Sequence, residues 1–182
     1  MPIPMGCYCY GFGFYGSVWR TLGEILIRDG QWDDLGRLAL EIRRSPDVTL
    51  AYLGYSYYME GRAILGRGNR VLATRAFKKI SDYSMSQSQL GIPIGLALWE
   101  LGFIEAADFV LAKESLTYGD RLSYWEVRYA IAQELNMSSK MLAAAAALHR
   151  LEPENLQYGA DYAAVLLSER LHADVAMTLT YQ

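Results

Sequence analysis

The 182-residue sequence predicts an all-α protein built as a solenoid of antiparallel helix pairs. Three observations predict it. Gly61, Gly68, Ala73 and Phe77 reappear thirty-four positions later as Gly95, Gly102, Ala107 and Leu111, and a fixed period of that length marks a stacked helix-turn-helix unit. A further step of the same length lands on Trp125, Tyr129, Ala132, Asn136, Met141, Ala145, Leu148 and Pro153, so the period runs beyond a single duplication. Finally, Gly30, Gly68, Gly102 and Asn136 stand where each pair must turn, and these are residues that accept the left-handed conformation ending a helix.

The elements follow in order. Residues 1–15 carry Cys7, Tyr8, Cys9, Tyr10, Phe12, Phe14 and Tyr15 among small residues, and the glycines at 6, 11, 13 and 16 weaken any strand, so an irregular amino-terminal arm is expected there. Repeat one, 16–49, places Trp19, Leu22, Gly23, Leu26 and Gly30 before Trp32, Leu35, Ala39 and Ile42, and Pro46 closes it. Gly23 to Gly61 spans 38 residues rather than 34, which puts about four extra residues near Ser45 to Leu50 in a lengthened connection. Repeat two, 54–87, holds Tyr57, Gly61, Ile64, Gly68, Ala73, Phe77 and Ile80, and a polar connection follows over 81–89. Repeat three, 88–121, holds Gly95, Leu98, Gly102, Ala107 and Leu111. In repeat four, 122–155, Ser138 or Ser139 is placed to cap a second helix, which the alanines at 143–147 favour strongly. Repeat five, 156–182, places Ala163, Leu166, Arg170, Val175 and Leu179 at the same frame positions, with a second helix from Ala173 to Tyr181.

The small residues have a packing rationale. Two helices approach closely only where a side chain at the crossing is small, so Gly23, Gly61, Gly95 and Ala163 are expected to face Leu35, Ala73, Ala107 and Val175. Trp19, Leu26, Phe77 and Leu111 would then fill the space between turns and between repeats. The last helix presents Val175, Ala176, Met177, Leu179 and Tyr181 with no capping helix after it, and is expected to meet a partner or a second copy of the chain, or to continue into a longer protein.

Composition excludes several classes. A net charge of -3 provides no basic field for nucleic acid or an anionic membrane, so neither partner is expected. Cys7 and Cys9 are far in sequence from His149 and His172, too few and too dispersed for a disulfide framework or a zinc site. There is no phosphate loop ending in Lys and Ser or Thr, and no combination of base, nucleophile and orienting group. No cofactor is expected and the protein is not expected to be an enzyme. His149, in the last turn of its helix, is expected to interact with the helix carboxyl end. The first nineteen residues lack the basic and continuous apolar regions of an export signal, which makes the cytoplasm the expected location.

Position for position, Trp19, Leu22, Gly23 and Leu26 followed by Ala39 resemble the tetratricopeptide repeat (TPR) family, in which a first helix carries W-x2-L-G-x2-Y and a second carries a small residue. The resemblance covers nearly everything after residue 15, with about five repeats, the fifth weakest. It implies a right-handed superhelix that binds an extended segment or helix of a protein partner in a concave groove lined by the first helices. Carried over, the groove positions would be Arg20, Glu24, Tyr55, Tyr58, Arg62, Ile92, Leu96, Trp99, Glu126 and Gln133. The family members that clamp a carboxy-terminal tail use lysines and an asparagine there, whereas this chain has Glu24, Leu96 and Ala130, so a carboxylate clamp is not expected. The leading expectation is a non-catalytic protein-interaction scaffold. Alternatives are a regulatory segment of a larger enzyme, such as a glycosyltransferase, and a secretion or pilus-assembly chaperone.

Overall fold

A computed structural model describes the backbone of residues 12–83, 85 and 89–180, and the side chains of 17–83, 85 and 89–170. Within them the chain is all-α, with the elements α1 (Phe12–Arg28), α2 (Trp32–Arg44), α3 (Leu50–Gly66), α4 (Arg70–Ile80), α5 (Gly91–Glu100), α6 (Ile104–Ala112), α7 (Ser115–Tyr118), α8 (Leu122–Glu134), α9 (Ser138–Leu151) and α10 (Leu156–Thr180). Most of the amino-terminal arm, with both cysteines, lies outside the described residues, and α1 is already helical at Phe12.

One turn is used four times. α1 and α2, α3 and α4, α5 and α6, and α8 and α9 are each joined by three residues whose middle member has positive φ: Gly30 at 68°, Gly68 at 84°, Gly102 at 73° and Asn136 at 52°. The residue after it donates its N–H back to a carbonyl five residues earlier: Gln31 to Leu26 at 2.9 Å, Asn69 to Ile64 at 3.2 Å, Phe103 to Leu98 at 2.9 Å and Met137 to Ala132 at 2.9 Å. This is the Schellman closure, which satisfies carbonyls a helix end leaves open. Because Met137 occupies the cap position, α9 starts directly at Ser138, and neither serine caps it as the sequence suggested. Asn69 does cap α4, accepting from the Leu72 N–H at 3.0 Å.

Two features depart from the 34-residue frame. The four surplus residues lengthen a helix rather than the first connection: α3 starts at Leu50, four residues ahead of frame position 54, and runs for 17 residues. Leu50, Ala51, Tyr52 and Leu53 contain no helix breaker, and Thr49 stands at the cap position, so helix propagates to that point. At the other end the expected fifth pair is one helix, α10, of 25 residues. The frame puts Arg170 where the other pairs have Gly or Asn, and Arg does not readily take a left-handed conformation, so the helix continues through it. The apolar side chains expected at 175–181 lie outside the described side chains.

The chain forms two compact units, Met1–Ile94 and Gly95–Gln182. In the first, Leu35, Ile42, Met59, Ala73, Phe77 and Ile80 form the core. Its glycines are packing sites. A methyl group on Gly61 would come 2.2 Å from Phe77 Cε1, and one on Gly66 would come 2.2 Å from Trp32 Cδ2. Gly61 therefore receives the ring of Phe77 rather than facing Ala73, and in the second unit Gly95 receives Leu111, 2.5 Å from its would-be methyl, rather than Ala107. The large residue one turn past the alanine is the one the glycine accommodates. Gly23 meets Met59 and Tyr55 of α3 rather than Leu35 of α2.

In the second unit Leu98, Ala107, Leu111, Ile131 and Leu148 are buried, and the alanine run contributes Ala144, Ala145 and Ala147 to the same interior. Asp108 is buried too, accepting from Arg128 Nη1 at 2.7 Å and from Lys140 Nζ. His149 lies in the last turn of α9, its ring stacked on Tyr162 of α10 with centroids 5.9 Å apart and its Nδ1 buried without a hydrogen-bond partner.

Gly61→Ala is expected to destabilise the chain by about 1–3 kcal/mol, because the added methyl would displace the buried Phe77 ring. Gly36→Ala is the internal control: its methyl would meet nothing closer than Arg67 Nη2 at 3.5 Å, and removing a helical glycine should stabilise by up to about 1 kcal/mol. Urea unfolding of both variants measures this, and equal effects would show that the Gly61 contact is not restrictive.

Candidate functional site

The first unit contains a cavity of about 270 Å3 lined by Arg20, Glu24, Ile27, Arg28, Tyr55, Tyr58, Leu90, Pro93 and Ile94. Helical spacing assembles two of its sides. Arg20, Glu24, Ile27 and Arg28 lie at i, i+4, i+7 and i+8 on one face of α1, and Tyr55 and Tyr58 lie at i and i+3 on α3. Leu90, Pro93 and Ile94 close the third side from the start of α5.

Tyr55 and Tyr58 form the floor as the middle of an aromatic row. Trp19 meets Tyr52 edge-on at 5.6 Å, Tyr52 meets Tyr55 edge-on at 6.3 Å, Tyr55 stacks on Tyr58 at 6.0 Å, and Tyr58 tilts against Phe77 at 6.2 Å. Tyr55 and Tyr58 are only 3% and 7% exposed, so their rings are rigid surface rather than adjustable side chains. The Tyr55 hydroxyl donates to the Arg20 carbonyl at 3.2 Å, and burial raises its pKa, keeping it a neutral donor at any ordinary pH. Arg62 Nη1 donates to the Tyr58 hydroxyl at 3.2 Å. At the rim Arg20 pairs with Glu24 at 2.9 Å and Arg28 with Asp29 at 2.9 Å. Both are solvent-exposed pairs, which contribute little to stability and can exchange partners readily.

Of the ten residues singled out from the sequence, Arg20, Glu24, Tyr55 and Tyr58 line this cavity, and Arg62 touches it through Tyr58. Ile92 is half-buried on α5 and does not line it. The other four belong to the second unit. Leu96 is half-buried, and Trp99 donates from Nε1 to Glu134 at 2.9 Å. Glu126 accepts from the Tyr158 hydroxyl at 2.7 Å, a bond that pushes the Tyr158 pKa up to about 12, and Gln133 is exposed.

Sequence reasoning missed Ile27, Arg28, Leu90, Pro93 and Ile94. Ile27 and Arg28 could have been found by extending the Arg20–Glu24 stripe one more turn. Leu90, Pro93 and Ile94 depend on where the 81–90 connection returns, which no periodicity encodes. A second, wider cavity of about 590 Å3 lies within the second unit, lined by Ser115, Leu116, Thr117, Gly119, Asp120, Trp125, Arg150 and Leu151.

Among the described residues, no group of three or more His, Cys, Asp or Glu is placed to hold a metal ion, and no helix is long and apolar enough to cross a membrane. No family model matches the sequence, and no curated protein matches it. A solved structure described as "MamA RS-1 ArsTM double mutant" is similar at 16% identity and a TM-score of 0.44, with 90% of each chain covered. Likeness of that degree assigns neither a family nor a partner.

Tyr55→Phe should lower stability by about 0.5–1.5 kcal/mol, since it removes one hydrogen bond between α3 and α1 and leaves the aromatic row intact. Chemical denaturation measures this, and no loss would mean that the hydroxyl bond has no net worth.

Proposed function

We propose that the chain is a non-catalytic interaction module of the TPR kind, and that the cavity of the first unit receives a large apolar side chain from a peptide segment of a protein partner. The carrying observation is the cavity itself. About 270 Å3 is at or below the small end of ligand pockets and suits one side chain better than a cofactor. Its lining also has the composition that dominates binding energy at interfaces: a fixed tyrosine floor, apolar walls from Ile27, Leu90, Pro93 and Ile94, and arginines at the edge. The four copies of one turn, the 34-residue period and the glycines that receive a large neighbour support the repeat reading.

The test uses peptides selected from a random display library on the full chain, with affinities measured by fluorescence anisotropy. Ile27→Glu should weaken the selected peptide at least tenfold, about 1.4 kcal/mol, without lowering the melting temperature, because Ile27 is only half-buried. Leu40→Glu, on an exposed apolar residue of α2 that does not line the cavity, should bind as wild type. Trp99→Ala reports separately on the second unit. Equal binding by Ile27→Glu and wild type would rule out the cavity as the contact.

A further inference from the structure

The corner between α6 and α8 contains a buried carboxyl group without a hydrogen-bond partner. Glu114 lies between α6 and the four-residue α7, is 1% exposed, and has no hydrogen-bond partner on either carboxylate oxygen. It stands at the cap position of α7, where a carboxylate would ordinarily accept from the next helix's N–H groups, yet makes no such bond. The Thr117 and Tyr118 N–H groups instead go to its backbone carbonyl, at 3.0 Å and 2.9 Å.

No side chain donates to a carboxylate there. On α6, Asp108 is buried as well but is paired. On α8, Arg128 gives Nη1 to both Asp108 Oδ1 at 2.7 Å and the Asp108 carbonyl at 2.8 Å, and Lys140 of α9 reaches the other Asp108 oxygen. Tyr124 of α8, which senses the charges of Glu114, Asp108 and Arg128 together, donates its hydroxyl to the Leu111 carbonyl at 2.9 Å. Lys113, next in sequence, is exposed. The two nearby cations are thus committed to Asp108. An isolated buried carboxylate is strongly disfavoured, and such a group takes up a proton or leaves the interior. Burial raises the Glu114 pKa accordingly.

We propose that Glu114 is a proton-controlled latch on the α6–α7 corner: the neutral acid packs inside and holds α7 in place, and loss of its proton to solvent drives the carboxylate outward, moving α7 and reshaping the cavity lined by Ser115, Leu116 and Trp125. The element it moves is short and lightly held. α7 contributes no buried residue, and Leu116 is 99% exposed. The sign follows from the raised pKa. Below the ordinary carboxyl range, both folded and unfolded chains carry the proton and the latch imposes no penalty. As pH rises from that range through the folded-state pKa, the folded chain must give up a proton it holds more tightly, and the corner loses stability.

The experiment follows backbone amide exchange at residues 113–121 of the full chain across pH, corrected for the intrinsic base-catalysed rise, in wild type, Glu114→Gln and Glu114→Met. Wild-type protection should fall at least tenfold with rising pH, while both variants, which cannot ionise, stay flat. A ¹³C titration of the wild-type glutamate carboxyls provides the second measurement, and one resonance should titrate above the others. A flat wild-type profile, or all glutamates titrating together in the ordinary range, would overturn the latch. If neither variant folds, the wild-type exchange and carboxyl titrations decide it.

Discussion

A left-handed residue at the centre of a three-residue turn is the constraint on which the rest of this structure depends. It ends one helix and starts the next at a fixed register, because the Schellman bonds that close it leave a single geometry for the residues on either side. Once the register is set, the residue facing Gly61 follows, and so does the place where α3 can offer Tyr55 and Tyr58 to α1. Asn136 shows that the conformation matters more than the residue type, since it reaches a φ of 52° in the same role. α10 shows what happens without it. With Arg170 at that position the helix runs through, and the pair is replaced by a single long element.

The glycines of the helix interiors solve a second problem that the turn creates. Helices brought together by a three-residue link are close, and the space available at the crossing is filled by one large side chain lying on a bare backbone, as Phe77 lies on Gly61 and Leu111 on Gly95. That arrangement buries a large apolar group for each glycine, and apolar burial of this kind is the main favourable term in folding. It also makes the first unit's interior stiff where the aromatic row passes from Phe77 through Tyr58 and Tyr55 to Tyr52. Tyr55 and Tyr58 belong both to the core and to the cavity lining, so the surface they offer to a ligand is preorganised at no separate entropic cost.

Helices, turns and repeat length were legible because each leaves a local signature: a small residue, a positive-φ residue, or a run without breakers. Arg170 carried a signal of the same kind, a residue averse to the left-handed region at a turn position, but the 34-residue period outweighed it and a second helix was expected. The choice of Phe77 over Ala73 as the neighbour of Gly61 was not, because both lie on one helix face and only the depth of the crossing selects between them. The contribution of Leu90, Pro93 and Ile94 to the cavity was equally hidden, for a connection's return path is decided by tertiary packing. Arg20, Glu24, Tyr55 and Tyr58 were reached through the repeat resemblance, which carries over first-helix positions and so finds the sides built by α1 and α3.

Asp108 and Glu114 show how little sequence says about a buried acid. They lie six residues apart on one corner of the second unit, both almost fully buried, and their fates differ by neighbours alone. Asp108 is served by Arg128 and Lys140, which approach from α8 and α9, so its charge is compensated by two elements distant in sequence. Removing both cations would leave an uncompensated buried charge, which is why such pairs tie helices together more firmly than their net contribution suggests. Glu114 has no equivalent: neither of its carboxylate oxygens has a partner, while Arg128 and Lys140 are held by Asp108. The ion pair that fastens α6 to α8 and α9 makes no bond to the adjoining carboxyl, whose pKa is raised by burial. The firmness of one contact and the pH sensitivity inferred for the other differ by whether a cation reaches the acid.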